Sequence, residues 1–394
     1  MDAMAKCLGS PSESTGTVAV ATAVITTLAL VSLARVALWP RKTPIIPGAL
    51  TTSVPKMSKD EIAKSTYRMD HFPGARDVVT PYGNIRVYEF GPEQGRKVLF
   101  IHGISTSCMT LSDIANPLVE KGCRVMLFDL FGRGFSDAPG DLPYDTRLFM
   151  SQILLVLASS PLAWAGNNAF TLVGYSLGGG IATNFAVTFP HIVESLILLS
   201  PAGLIRAENI GRLSRLVFTS GLVPERLLAW MTKSRLRKPI DNAVSKRRTV
   251  AAKTLSPVGE KEDFVDVAVQ EAVDPPPTQE TPTPFEQSVI DFVHWSLDYN
   301  EGFVPAMMST IRYGPLMDQQ QYWRLLAKRK PGTTAILIGR DDNLIQPDDY
   351  EEDALPLVGG RDNVFWRLVP GAHNFPFTHP DSALKQIFEF LGME

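Results

Sequence analysis

The sequence predicts an α/β protein with a doubly wound, mostly parallel sheet. Short apolar runs, most of them continuous rather than alternating, are typical of strands that are buried on both faces. Helix-length segments separate several of these runs, which favours right-handed strand–helix–strand units. The chain has 394 residues, of which 45% are hydrophobic and 20% charged, so it can bury a large core. Its net charge of −3 gives no indication of a nucleic-acid partner.

The first predicted element is an N-terminal transmembrane helix. Residues 14–34 are 21 residues without a charge, and as a helix they would span roughly 30 Å, the thickness of a bilayer's hydrocarbon core. A signal or transit segment is the alternative. A signal peptide needs a basic start, however, and here the positive charge of Lys6 is offset by the negative charges of Asp2 and Glu13. Basic residues are more frequent after this segment than before it. The positive-inside tendency therefore predicts a single-pass membrane protein whose larger part faces the cytosol.

The strands begin after a predicted tether over residues 40–60, which is rich in Pro, Thr, Lys and Ser. A turn at residues 81–84 joins the first two strands as a hairpin. Strands are predicted over residues 77–80, 85–90, 97–101, 124–130, 170–175, 194–199, 334–338 and 364–369. Helices are predicted between or after them over residues 110–121, 146–159, 177–188 and 382–391.

One long segment interrupts the alternation. Helices are predicted there over residues 210–231 and 285–299, and residues 251–284, rich in Pro, Glu, Asp and Thr, are predicted to be a flexible surface segment. Because strands resume afterwards, we interpret the segment as a helical cap over the carboxyl edge of the sheet, with a separate helical domain as the alternative. The predicted divisions are an anchor and tether (1–60), a core in two parts (61–201 and 322–394) and the cap (202–321).

The pentapeptide Gly174–Gly178 has the pattern Gly-x-Ser-x-Gly and makes Ser176 a candidate nucleophile. The pattern alone would occur by chance in roughly one in ten chains of this length. Its position between a predicted strand and a predicted helix makes it specific. A serine at such a sharp turn has a strained backbone and an exposed hydroxyl, and the glycines allow the neighbouring backbones to approach. The helix start directs N–H groups toward developing negative charge.

A serine nucleophile needs a base that is held in turn by an acid. His373 lies in a glycine-containing loop after the last strand and is the predicted base. The acid should follow the strand at residues 334–338, where both Asp341 and Asp342 fit. Asp342 is favoured, and the other carboxylate would accept backbone N–H bonds in the turn. The weaker candidates for the base are His71, His102, His191, His294 and His379.

An oxyanion hole needs two backbone donors. The N–H groups of Leu177, directly after the nucleophile, and of Ile104, in the loop after the strand at residues 97–101, are the predicted pair. His102 is predicted to orient this loop rather than to act as a base. The three cysteines form no cluster, which argues against a zinc site, and the sequence gives no sign of another metal or of an organic cofactor.

Together these motifs resemble serine hydrolases of the α/β-hydrolase fold family that carry a helical cap. The matching residues are His102-Gly103, 129–137, 174–178, 339–342 and 371–373, in family order, and the resemblance covers roughly residues 75–394. It implies that the acid stands three residues after the glycine that ends its strand, which selects Asp342. Relatives with an aspartate nucleophile are excluded by Ser176.

The sequence departs from the family pattern in two places. Family members often have a proline four residues after the acid, whereas Pro347 stands five residues after Asp342, which keeps Asp341 as the alternative acid. The histidine is commonly preceded by glycine, and here Ala372 precedes His373.

The predicted function is therefore hydrolysis of a carboxylic ester through an acyl-enzyme on Ser176. The membrane anchor and a partly basic, apolar cap indicate a lipid-like ester, although the same residues would equally suit packing against the core with a solvated basic face. A C–C bond hydrolase, a thioesterase or an acyltransferase would use the same triad, and a non-catalytic binding protein is a further alternative. The cap residues concerned are Arg212, Arg215, Leu216, Phe218, Leu222, Leu227, Trp230, Lys233, Arg235, Arg237 and Lys238.

Overall fold

The computed structural model of the protein describes residues 11–38, 43–166, 169–206, 211, 216–218, 223–250 and 284–393. Ten strands occur in these residues. They are β1 (Ile45–Ile46), β2 (Ala75–Thr80), β3 (Gly83–Phe90), β4 (Lys97–Ile101), β5 (Arg124–Phe128), β6 (Ala138–Pro139), β7 (Phe170–Tyr175), β8 (Val193–Leu199), β9 (Thr334–Gly339) and β10 (Phe365–Val369).

Eight of the strands form one sheet in the order β10-β9-β8-β7-β4-β5-β3-β2. The six strands from β10 to β5 are parallel, and β3 and β2 continue the sheet as an antiparallel hairpin. Every residue of β7 and β9 is buried, as the continuous apolar runs predict. The mostly parallel doubly wound sheet is therefore confirmed, and its parallel strands bring their carboxyl ends to one edge.

The helices of the described residues include those predicted over residues 110–121, 146–159, 177–188 and 382–391, together with several that the sequence does not predict. All of these helices together are α1 (Pro11–Leu38), α2 (Ala49–Thr52), α3 (Lys59–Lys64), α4 (Ser112–Glu120), α5 (Thr146–Ala158), α6 (Leu177–Thr188), α7 (Glu225–Val250), α8 (Pro284–Tyr299), α9 (Phe303–Tyr313), α10 (Gln320–Leu326), α11 (Pro347–Leu357), α12 (Phe375–Thr378) and α13 (Pro380–Leu391). Side chains cap the starts of α3 and α5: the Ser58 hydroxyl accepts the Glu61 N–H, and the Asp145 carboxylate accepts the Arg147 and Leu148 N–H groups.

The N-terminal segment forms the long helix α1. None of the helices in the described residues has both the length and the apolar character needed to cross a bilayer, so the predicted transmembrane helix is not found there. The large apolar side chains of α1 that the structure describes are all exposed to solvent. They are Val18, Val20, Val24, Ile25, Leu28, Leu30, Val31 and Leu33.

Part of the predicted tether, between Ile45 and Val54, contacts the core. Strand β1 pairs with β6, and Ala49 is fully buried. The Gly48 N–H donates to the Asp137 Oδ1 at 2.6 Å, a contact between residues 89 positions apart. A long-range contact of this kind leaves no signal in the local composition, which is why the segment resembles a free linker in the sequence.

Helices α7 to α10 lie between β8 and β9, and α7 to α9 lie within the predicted cap. The helix predicted at residues 210–231, with interruptions at Gly221 and Pro224, agrees with the structure at residues 216–218 and 225–231, which are helical, and α7 extends beyond it to Val250. Residues 207–210, 212–215 and 219–222 lie outside the described residues, as does nearly all of the predicted flexible segment. Helix α8 agrees with the helix predicted at 285–299.

Two side-chain contacts attach this helical segment to the loop that follows β5. The Asn300 side chain donates to the Gly134 carbonyl at 3.1 Å, and the Arg133 guanidinium donates to Thr310 Oγ1 of α9 at 2.9 Å. The helices therefore contact a loop at the carboxyl edge of the sheet. Their action as a cap stays a prediction.

Candidate active site

Ser176 occupies a strained turn between β7 and α6. Its φ of 53° and ψ of −119° lie in a region that residues other than glycine rarely adopt. The flanking glycines are required by close packing. A Cβ on Gly174 would lie 2.3 Å from the Gly178 carbonyl oxygen, and a Cβ on Gly178 would lie 2.2 Å from the Ile101 carbonyl oxygen. These contacts fix the serine at the carboxyl edge of the sheet, between β7 and β4.

The loop between β10 and α12 brings His373 to this serine. The His373 Nε2 lies 3.0 Å from the Ser176 Oγ, and the imidazole is fully buried. Its ring also lies against Tyr175, with the ring centroids 5.4 Å apart. Gly371 has a φ of +104°, and a Cβ there would lie 2.5 Å from His379, so only glycine fits this turn.

Asp342 lies in the loop after β9 and completes the chain of hydrogen bonds. Its Oδ2 lies 2.9 Å from the His373 Nδ1. Its Oδ1 accepts the N–H groups of Leu344 and Ile345 at 3.0 and 2.7 Å, which hold the carboxylate in place. Asp341 is exposed, and its N–H donates to the Gly371 carbonyl. The structure therefore brings Asp342, and not Asp341, to the histidine.

The two predicted oxyanion donors belong to the start of α6 and to the loop after β4. Leu177 is the first residue of α6, so its N–H has no acceptor within the helix. Ile104 is buried in the loop after β4, and its carbonyl accepts the Arg133 Nε–H at 3.1 Å. Arg133 is itself fully buried and also donates to the Phe131 carbonyl. This guanidinium connects the loop of Ile104 to helix α9.

His102 has the structural role that the sequence predicts. Its Nε2 accepts the Leu130 N–H at 2.9 Å, so its proton lies on Nδ1, which faces the Gly103 carbonyl at 2.9 Å. Burial, together with the positive charge of Arg133, lowers the pKa of His102 from 6.5 to about 3. The neutral imidazole is hydrogen-bonded at both ring nitrogens. It therefore holds the loops after β4 and β5 together and is not available as a base.

Sequence reasoning assigned no role to two buried polar residues that directly follow strands β5 and β8. Asp129 accepts hydrogen bonds from the Tyr67 hydroxyl and from the N–H groups of Phe135 and Cys108, while burial raises the pKa of its carboxyl group. Ser200, directly after β8, donates to Asp342. In the sequence, both could have been noticed as polar residues that directly follow a buried strand, because such positions lie at the carboxyl edge of the sheet, where the candidate site residues meet.

Comparison with known families agrees with this geometry. The profile of the α/β hydrolase fold family matches residues 97–380, most of the chain. The chain belongs to the α/β-hydrolase fold family. Membership accounts for the strained serine turn and for the loops after β9 and β10 that carry the acid and the histidine.

Several known proteins are similar in sequence to part of this chain. A serine hydrolase-like protein of Homo sapiens is 32% identical over 139 residues, which cover 34% of this chain and 65% of that protein. A serine hydrolase-like protein of Danio rerio is 30% identical over 129 residues, which cover 32% of this chain and 38% of that protein. The matches therefore span less than two thirds of the length of these relatives.

Solved structures extend the likeness over the whole fold. An esterase from Rhodococcus sp. superposes with a TM-score of 0.54 at 18% identity, covering 81% of this chain and 98% of that chain. An esterase from Exiguobacterium antarcticum superposes with a TM-score of 0.52 at 19% identity, covering 82% of this chain and 100% of that chain. At these identities the likeness shows the fold alone.

Proposed function

We propose that this α/β hydrolase is a serine hydrolase that cleaves a carboxylic ester through an acyl-enzyme. The observation that carries the proposal is the unbroken chain of two hydrogen bonds from Ser176 through His373 to Asp342, 3.0 and 2.9 Å long. Nucleophile, base and acid stand in the order and the geometry that acyl transfer requires. All three are almost completely buried, so water does not compete with these hydrogen bonds.

In the first half of the proposed reaction, the Ser176 Oγ attacks the acyl carbonyl and its proton passes to the His373 Nε2. Asp342 keeps the other proton of the imidazole on Nδ1 and stabilises the imidazolium that forms. The negative charge on the carbonyl oxygen is held by the N–H groups of Leu177 and Ile104. Each such donor is worth roughly 3 kcal/mol in the transition state. His373 then gives its proton to the departing alcohol, and the acyl group remains on Ser176.

In the second half, a water molecule takes the place of the alcohol. The His373 Nε2 removes a proton from this water as it attacks the acyl carbonyl, and the same oxyanion donors stabilise the second tetrahedral intermediate. Its collapse releases the carboxylic acid and returns the proton to the Ser176 Oγ. No other group has to supply a proton or an electron.

The substrate is proposed to be a lipid-like or otherwise apolar ester, and the protein is proposed to be attached to a membrane through its N-terminal helix. Support comes from the exposed apolar side chains of α1 and from Trp230 and Leu227 on α7, which are 66% and 45% exposed. The basic residues that follow the helix in sequence favour a cytosolic orientation of the larger part.

A fluorophosphonate probe tests the catalytic proposal. The wild-type protein should be labelled covalently, Ser176→Ala should not be labelled, and His373→Ala should be labelled far more slowly. The matched control is Ser151→Ala, because Ser151 lies on the outer part of α5 and bonds only the Arg147 carbonyl. An unreactive wild-type protein with a native unfolding transition would overturn the proposal. A panel of p-nitrophenyl esters and matching thioesters then decides between ester and thioester cleavage.

Membrane attachment is tested separately by removing residues 1–40. The full chain should sediment with membranes and resist extraction by alkaline carbonate, while the truncated protein should remain in the supernatant and keep its reactivity toward the probe. Continued sedimentation of the truncated protein would show that α1 is not the attachment. Protease protection in sealed vesicles reports the orientation, with digestion of the larger part expected from the cytosolic side.

A further inference from the structure

Ser200 lies directly after β8 and has a backbone conformation that favours glycine. Its φ is +39°, one of three positive values recorded for residues other than glycine in the described chain. Holding a serine in this region costs on the order of 1–3 kcal/mol. The residue is fully buried, and its N–H donates to the Leu337 carbonyl of the neighbouring strand β9 at 2.7 Å. The side chain therefore provides an interaction that glycine, which would fit without strain, lacks.

That interaction is a hydrogen bond to the acid of the triad. The Ser200 hydroxyl donates to the Asp342 Oδ2 at 2.6 Å, and this is the same oxygen that binds the His373 Nδ1. The Gly339 N–H approaches the Ser200 Oγ at 3.3 Å from the other side. A hydroxyl that accepts from an amide on one side presents its proton on the other, so the hydroxyl is oriented toward the carboxylate.

We propose that Ser200 is a positioning residue of the active site, which acts on His373 through Asp342. Its hydroxyl fixes the oxygen that holds the imidazole and takes up part of the negative charge on that oxygen. This inference rests on the proposed serine hydrolase activity. The attraction between Asp342 and a protonated His373 is therefore weaker than it would be without the hydroxyl. As a result, His373 loses its proton at a lower pH than it would in a protein without the hydroxyl.

The pH dependence of the reaction with a fluorophosphonate probe tests this proposal without knowledge of the substrate. In Ser200→Ala the carboxylate keeps more of its charge, so the protonated imidazole persists to higher pH. The acidic inflection of the labelling rate should move up by roughly half a pH unit or more. Ser200→Gly removes the same hydroxyl and relieves the backbone strain, so it should show the same displacement with a more stable fold.

The control is Ser136→Ala. Ser136 is also fully buried, and its hydroxyl bonds only the Asp129 carbonyl and the Arg86 N–H, away from the triad. This variant should lose stability but keep the wild-type inflection. If both Ser200 variants also keep the wild-type inflection while wild type is labelled, the inference is wrong and the proposed function stands. If wild type is not labelled at any pH, both are wrong.

Discussion

Replacing Asp342 and Asp341 by asparagine, one at a time, tests which of the two is the acid of the triad. Oδ1 of Asp342 accepts two backbone N–H groups, so an asparagine there keeps its carbonyl oxygen at that position. Its NH2 group then takes the place of Oδ2 and faces the Nδ1 of His373. Because the asparagine NH2 group and an Nδ1–H group are both donors, they cannot hydrogen-bond to each other. The imidazole must then carry its proton on Nε2, and Nε2 can no longer accept the proton of Ser176.

The expected loss for Asp342→Asn is therefore about 10⁴-fold in kcat, or about 5.5 kcal/mol of transition-state stabilisation. Asp341→Asn is the matched control, because that side chain is exposed and only its backbone N–H is used. It should change kcat less than twofold. The assay is turnover of a p-nitrophenyl ester with active enzyme counted by the fluorophosphonate probe. Full activity in Asp342→Asn together with loss in Asp341→Asn would refute the assignment of the acid.

Two further predictions concern the loops around the site. The free energy of unfolding should fall by up to about 1.4 kcal/mol per pH unit between pH 6 and 4, because the unfolded chain protonates His102 near pH 6.5 whereas the folded chain does so only near 3. In urea titrations over this pH range, the free energy of unfolding of His102→Gln should fall less per pH unit than that of wild type. An equal fall in both proteins would contradict this role. Arg133→Lys should lower kcat by about tenfold or more with little change in KM, since it weakens the contact to the Ile104 carbonyl; a change in KM alone would place Arg133 in binding instead.

The sequence predicted the sheet and the triad because their signals are local. Each central strand is a continuous apolar run, and the serine, acid and histidine each lie in a short motif directly after a strand. Family order then placed them at one edge. The choice between Asp341 and Asp342 needed the structure, because it depends on which carboxylate faces the histidine.

The parts that were missed depend on contacts between distant residues. Helix α9 is held by contacts such as that of its Thr310 with Arg133, 177 positions away in the chain. Helix α11 is rich in acidic residues and resembles a solvated loop, but three of its carboxylates form ion pairs with Arg206, about 145 positions away in the chain. Ser200 meets Asp342 across 142 positions. Contacts between residues so far apart in the chain cannot be predicted from the local amino-acid composition.

The most direct measurement of the central claim is the mass of the protein during turnover. After rapid acid quenching from a reaction with a p-nitrophenyl ester, the intact protein should gain the mass of one acyl group, and fragmentation should place that group on Ser176. A burst of one p-nitrophenol per protein should accompany it. The account predicts this adduct in wild type and its absence in Ser176→Ala. Turnover that persists in Ser176→Ala, or an acyl group on another residue, would contradict it.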